Sequence, residues 1–284
     1  MSQPQPQQVL TRGANDALVK GQTRYMDTAT AYDLWSEVYD TDGNFLQALD
    51  TIQMRTLLPR AASLLSETPQ SMPQNQPKED STTLSWKAVD LGCGTGRNTL
   101  GLLDIPSIGE IVALDLSPKM LDVARQRCQA HVSSSSSAPA AAPRIHFDVF
   151  DMIRADSLPS PATNADLVVS TLVLEHVPLD VFFQTVAALL RPGGLLLLTN
   201  MHAEMGNISQ AGFVDPKTGD KIRPVSYPHT VADTVEEAKK HRLEVIDGLS
   251  ELAVDENMVE SLGPRGKKWV GIKVWYGGIC RKTG

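Results

Sequence analysis

The sequence predicts an α/β fold built on a seven-stranded, mainly parallel sheet with helices on its faces. Three observations lead there. From residue 85 onward, apolar runs alternate with amphipathic stretches in the rhythm of βαβ units. The first apolar run breaks into a glycine-rich turn, "VDLGCGTGRNT", the usual start of a nucleotide-binding sheet. A chain of 284 residues with 42% hydrophobic content is also long enough to bury one sizeable core with additions.

The elements follow in order. Near the N-terminus, "ATAYDLWSEVYD" and "NFLQALDTIQMRTLL" read as amphipathic helices, with Phe45, Leu46, Leu49, Ile52 and Leu57 sharing a face. Tyr32, Trp35 and Tyr39 at i, i+3 and i+7 share another. Ser66 to Thr83 and His131 to Arg144 are rich in Ser, Pro, Gln or Ala and read as disordered insertions, too poor in apolar groups to offset the cost of ordering. The predicted strands are "WKAVDLG", "EIVALDL", "RIHFDVF", "DLVVSTLVL", "GGLLLLTN", "LEVIDGL" and "WVGIKVWYGG". Between them, Ser117 and Pro118 start a helix over "KMLDVARQRC", Gly193-Gly194 stop the helix over "LDVFFQTVAALLRP", and Thr230 caps "VADTVEEAKKHR".

Composition narrows the function. A formal charge of -7 argues against a polyphosphate-binding face, so no nucleic-acid partner is expected and a small substrate is favoured. "MSQPQPQQVL" does not read as a targeting segment and "GGLLLLTNM" is far short of the ~20 apolar residues of a membrane span, so a cytoplasmic protein with no membrane partner is expected. Three cysteines without a CxxC pair read as buried thiols, and six scattered histidines give no case for a metal.

The spacing around the first turn is G-x-G-x-G, not the dinucleotide G-x-G-x-x-G, and Arg97 stands where the third fingerprint glycine would be. Asp115, ending the second strand, can accept hydrogen bonds from both hydroxyls of a ribose. Asp151 and Met152, after the third, suit an adenine amino group and its flat face. Three successive strand ends thus converge on an adenosine-shaped ligand.

In that order, "DLGCGTG", "ALDLS", "FDVFDM", "STLVLEHV" and "LRPGGLLLLT" resemble the motifs of class I S-adenosylmethionine-dependent methyltransferases, over residues 85 to 202. The resemblance implies a Rossmann-like sheet whose last two strands form an antiparallel hairpin, and S-adenosylmethionine as cofactor. It places Asp90, Gly92 and Gly94 around the methionine amino and sulfonium end, Asp115 on the ribose and Asp151 with Met152 beside adenine. It extends the expected contacts to Cys93, Gly96, Leu116, Met120 and Thr171. Arg97 could meet the methionine carboxylate or simply start a helix on the surface. "AYDLWSEVYD" is similar to an N-terminal segment that folds over the cofactor in small-molecule methyltransferases, which makes Tyr32 and Tyr39 candidates for the methionine end. Residues 1–65 are therefore expected to form a helical lid segment, 66–84 an insert, and 85–284 the methyltransferase domain, with a flexible insert at 131–143.

The acceptor is less defined. The D/N-P-P-Y/F/W motif of nucleic-acid amine methyltransferases is replaced by Ser170-Thr171-Leu172, and "LEHV" resembles enzymes that methylate oxygen, nitrogen or sulfur of small metabolites. Residues 203–230, after the fifth strand, are too long for an ordinary connection of ~2–6 residues and are expected to cap the substrate. An F-x-D-x-x-T-G segment here is similar to one in microbial and fungal methyltransferases and brings no substrate with it. In-line displacement from a sulfonium needs a base only when the acceptor must lose a proton. His176 and His202 are the leading base candidates, ahead of Glu175 and Glu204. Two rivals remain: a methyltransferase-like regulatory protein without turnover, and a nicotinamide-dependent oxidoreductase.

Overall fold

A computed structural model describes residues 21–67, 85–134 and 143–284. The first twenty residues and most of both expected inserts lie outside the described residues. The elements are β1 (Thr23–Tyr25), α1 (Thr28–Trp35), α2 (Phe45–Ser66), β2 (Trp86–Leu91), α3 (Arg97–Leu103), β3 (Ile108–Asp115), α4 (Pro118–Ser134), β4 (Arg144–Val149), β5 (Ala165–Thr171), α5 (Leu179–Leu189), β6 (Leu190–Met201), α6 (Ala203–Ile208), β7 (Phe213–Val214), β8 (Lys221–Arg223), α7 (Val231–Lys240), β9 (Leu243–Ala253), α8 (Val259–Leu262) and β10 (Lys273–Lys282).

All seven expected strands join one sheet in the order β4-β3-β2-β5-β6-β10-β9. Strands β2 to β6 run parallel, and β10 lies antiparallel between β6 and β9. Side-chain alternation along each strand feeds two cores. Val89, Leu91, Val168, Leu196 and Leu198 pack under Phe182, Phe183 and Val186 of α5. Ala88, Leu167, Val169, Leu195 and Leu197 face Met54, Leu58, Ala61 and Leu65 of α2. Burial on both faces explains why the central strands read as unbroken apolar runs. The order reverses between β2 and β5, opening a crevice at the carboxyl ends of the strands.

Three boundaries differ from expectation. Helix α1 stops at Trp35, so Tyr39 sits in the following turn. Helix α4 runs through His131 to Ser134, into the stretch expected to be disordered. Helix α5 ends at Leu189, before the two glycines, because Leu190 already pairs with Ala165 in the sheet. A Cβ on Gly194 would lie 2.9 Å from the Ala165 carbonyl oxygen, so this glycine serves close strand approach.

A second sheet was not expected. Strand β8 pairs with both β1 and β7, which joins the N-terminal segment to the chain that follows β6. Trp35 stacks on Phe213 with ring centroids 5.1 Å apart, and both pack with Ala31, Met120 and Ile222. Among the described residues no helix is long and apolar enough to cross a membrane.

A candidate active site at the carboxyl edge of the sheet

The turn after β2 is shaped by positive φ at Gly92 (76°), Gly94 (53°) and Gly96 (84°). A Cβ on Gly92 would meet Val173 Cγ2 at 2.2 Å, whereas one on Gly94 would meet nothing within 4 Å. Gly92 therefore permits close approach of two loops. The Asp115 carboxylate clamps the turn by accepting from the Gly94 and Ser117 N–H groups, each at 2.8 Å. Burial pushes Asp115 up to about 6 against the pull of those two amides.

A cleft over this turn is lined by Gly92, Gly94, Asp115, Leu116, Asp151, Met152, Thr171, His176, Tyr32 and Tyr39. Ten of the sequence-predicted positions thus meet at one edge. Six do not line it, His202 among them. Asp90 is buried beneath the turn, where its carboxylate accepts from Thr99 Oγ1 at 2.6 Å and burial pushes it up to about 6. Cys93 packs against Ala113, Leu121 and Ala124, and Met120 belongs to the Trp35–Phe213 cluster. Gly96 faces Ala124. Arg97 donates to Asp50 at 2.5 Å and to the Thr51 and Thr171 hydroxyls at 3.2 Å.

That last contact exposes a residue the sequence did not single out. Asp50 is fully buried inside α2 and also accepts from Thr199 Oγ1 at 2.5 Å and Trp275 Nε1 at 2.9 Å. One carboxylate ties α2 to α3, β6 and β10. An Asp beside the apolar Phe45-Leu46-Leu49 face was the available signal, because buried acids occur almost only where they are paired.

The N-terminal segment is latched onto the same edge. Asp33 accepts from Ser117 Oγ at 2.5 Å, and Asp40 accepts from Thr95 Oγ1 at 2.9 Å and Arg127 at 3.0 Å. Tyr32, Trp35 and Tyr39 still form one aromatic cluster, with centroids 5.2–6.1 Å apart, although they do not share one helix.

The two histidines diverge. Val225 O accepts from His176 Nδ1 at 2.6 Å, which leaves Nε2 to accept from the Tyr32 hydroxyl at 2.7 Å. Burial pulls His176 down to about 4, so it is neutral at pH 7. His202 lines neither cavity; it caps α6 through Nδ1 and places Nε2 2.8 Å from Glu251. Tyr227 stacks on His229, whose Nε2 donates to Val177 O at 2.9 Å.

A larger cavity of about 580 Å³ adjoins the cleft, and Tyr32, Tyr39 and Leu172 line both. Leu172 adopts φ 57°, a strained conformation for a branched side chain that is most often found at functional sites. The cavity's walls come from Trp35 and Phe45, from Met201 and Met205, and from Phe213 and Trp269. Glu175 lines it too: 3% exposed, with Oε2 lacking a hydrogen-bond partner. Burial pushes Glu175 up to about 7.

The donor set of the cleft fits an adenosyl sulfonium. It offers carboxylates at two strand ends, Met152 as an apolar face, and a glycine turn that needs no phosphate charge to satisfy it.

Comparison with known proteins identifies the family. Residues 89–198 match a family described as a methyltransferase domain. An uncharacterized methyltransferase of Emericella nidulans is 46% identical over 264 residues, covering 89% of this chain and 90% of that protein. Among solved structures, a putative S-adenosylmethionine-dependent methyltransferase from Listeria monocytogenes superposes with a TM-score of 0.51 at 14% identity, over 72% of this chain and 94% of that one. The [4+2]-cyclase SpnF does so with a TM-score of 0.52 at 15% identity, over 93% and 99%. Those two likenesses speak for the fold. Together with the full-length relative, the motifs and the sheet topology establish that this chain belongs to the class I S-adenosylmethionine-dependent methyltransferases, with S-adenosylmethionine as its cofactor.

Proposed function

We propose that this enzyme is a cytoplasmic methyltransferase that modifies an oxygen, nitrogen or sulfur atom of a small molecule held in the 580 Å³ cavity. The observation that carries the reading is the wall of Tyr32, Tyr39 and Leu172, which the cavity and the cofactor cleft have in common. The volume lies within the ~300–1,000 Å³ usual for small-ligand sites. Residues 203–230 and the N-terminal helices, knitted together by the β1-β8-β7 sheet, form its roof, which suits a lid and cap that exclude water.

When bound, S-adenosylmethionine supplies an electrophilic methyl carbon on a sulfonium sulfur. Asp115 would hold the ribose, Asp151 and Met152 the adenine, and the Gly92–Gly94 turn the methionine end. Thr28, Tyr32 and Tyr39 line the cleft from the N-terminal side, and in this reading they withdraw to admit the cofactor and then close over it. The Asp33–Ser117 and Asp40–Thr95 contacts are the latches that such a movement breaks and remakes.

Proton removal falls to Glu175 in this reading. Efficient bases have a pKa near the working pH. Glu175, at about 7 with Oε2 uncommitted, meets that condition, whereas His176, at about 4, would cost about 4 kcal/mol to protonate at pH 7. His176 instead fixes the Tyr32 hydroxyl where cleft and cavity meet. The deciding experiment is transfer of labelled methyl from S-adenosylmethionine to a panel of phenols, amines and thiols. Tight cofactor binding with no transfer to any acceptor would favour a regulatory protein.

A further inference from the structure

The acceptor cavity is lined by charges of both signs, the acid buried and two of the three cations exposed. Its acid is Glu175, while its rim carries Lys221 from β8 with Arg265 and Lys268 from the segment after α8. Arg223, two residues beyond Lys221 on β8, adds a fourth positive group. Apart from Arg265, which pairs with Asp42, these cations lack an ion-pair partner among the described residues. Among the described residues Lys221 has no ion-pair partner, and its amine is depressed by burial and then by the charges of Arg223, Lys268 and Arg265. Arg223 reaches only the Tyr25 hydroxyl, at 3.3 Å, and its Nε has no partner. Lys268 lies over the Trp269 ring, 4.9 Å from the centroid. The carboxylate on the same wall, Asp42, is already engaged by Arg265 at 3.8 Å and by Trp35 Nε1 at 2.9 Å.

Holding like charges together costs free energy unless something of opposite sign completes the set, and a rim of one sign concentrates ligands of the other. The chain as a whole carries a charge of -7, so this positive rim runs against the protein's own field. Trp269 adds a neutral donor nearby: it lines the cavity and its Nε1 is buried without a hydrogen-bond partner.

We propose that the methyl acceptor is an acid: a small molecule whose carboxylate or phosphate is held at the rim by Lys221, Arg265 and Lys268, with its nucleophilic atom at the Glu175 end. Carboxylate and phosphate share the chemistry of charge-assisted hydrogen bonds to ammonium and guanidinium groups. The anion here is a handle and is not itself methylated, since Lys221, Arg265 and Lys268 line the cavity and none of them lines the cofactor cleft. The inference rests on the small-molecule reading of the cavity given above.

The test starts from a small-molecule extract of Emericella nidulans, the source of the 46% identical relative. The extract is separated on an anion exchanger before reaction, and each fraction is incubated with the full-length enzyme and methyl-labelled S-adenosylmethionine. The expected result is label in the retained, acidic fractions. Phosphatase treatment of those fractions beforehand separates the two sources, abolishing retention of a phosphate but not of a carboxylate. Lys221→Glu/Lys268→Glu should lower the transfer rate at limiting acceptor at least tenfold, with S-adenosylhomocysteine affinity by calorimetry within twofold of wild type. Lys221→Gln/Lys268→Gln, a milder change at the solvent-facing rim, should give a smaller loss in the same direction. Label confined to unretained fractions would overturn the proposal alone, as would a charge-reversed enzyme that works as fast as wild type. Cofactor binding with no label in any fraction would overturn the small-molecule reading and this proposal with it.

Discussion

Removing the Asp50 carboxylate should be among the most damaging single changes to stability outside the strands. In Asp50→Ala three donors lose a shared acceptor: Arg97, Thr199 Oγ1 and Trp275 Nε1. Breaking a buried ion pair from one side costs ~3–5 kcal/mol, because the remaining charge stays buried. Arg97 keeps its two hydroxyl contacts and is 20% exposed, which moves its share to the low end. Thr199 and Trp275 are fully buried, and each orphaned donor adds ~1–3 kcal/mol, though not additively. A total near 4 kcal/mol follows, a large part of the ~5–15 kcal/mol available to a domain. Urea denaturation measures it as a fall in midpoint at constant m. Asp50→Asn should lose about half as much, since one acceptor oxygen survives. Asp50→Leu/Arg97→Met should be less damaged than the sum of its single changes by at least 2 kcal/mol. A loss below 1 kcal/mol in Asp50→Ala, or additivity within 0.5 kcal/mol in the cycle, would refute the network's importance.

Other outcomes follow from the site. Asp115→Ala should weaken S-adenosylhomocysteine binding by ~1.5–3 kcal/mol in calorimetry while near-ultraviolet dichroism stays native, the cost of losing a charged hydrogen-bonding partner. Glu175 is raised in the fold, so its contribution to stability is complete below pH ~4.5 and declines as pH rises through about 7. Without cofactor, Glu175→Gln should therefore match wild type at pH 4.5 and exceed it at pH 8 by up to ~3 kcal/mol in thermal or urea melts. The same variant should lose ~10²–10⁴-fold in rate on an acceptor that must give up a proton, and much less on a neutral amine. Asp33→Ala/Asp40→Ala removes both latches, so amide exchange over residues 28–42 should quicken without cofactor and slow less when S-adenosylhomocysteine is added; unchanged exchange would argue against a closing lid.

The sheet was legible because its signal is local and repeated. Its central strands are apolar runs, its outer strands β4 and β9 mix apolar with polar residues, and Asp115, Asp151 and the glycines fall at or just after strand ends by position alone. Thr230 and Ser117 cap α7 and α4 as their types require. What stayed hidden depends on contacts far apart in sequence. The β1-β8-β7 sheet uses strands of two or three residues nearly two hundred positions apart, too short to show a period. Helix α1 could be read but not its stop at Trp35, where Trp35 Nε1 instead binds Asp42 in the following turn. Glu175 and His176 are neighbours in "LEHV", and the sequence ranks the histidine first as a base. Only the fold shows that Val225 O and the Tyr32 hydroxyl occupy the histidine while the glutamate has an oxygen free. Arg97 reads either as a partner for the methionine carboxylate or as a surface residue at the start of a helix until Asp50 arrives from 47 residues away.

The central claim is that the cofactor lies along the ends of β2, β3 and β4 and presents its methyl to the cavity through the wall formed by Tyr32, Tyr39 and Leu172. A crystal structure of the full chain with S-adenosylhomocysteine tests it most directly. The predicted result is the ribose hydroxyls on the Asp115 carboxylate, adenine beside Asp151 and Met152, and the sulfur at the shared wall facing Glu175. A cofactor bound elsewhere, or one whose sulfur is sealed from the 580 Å³ cavity, would contradict it.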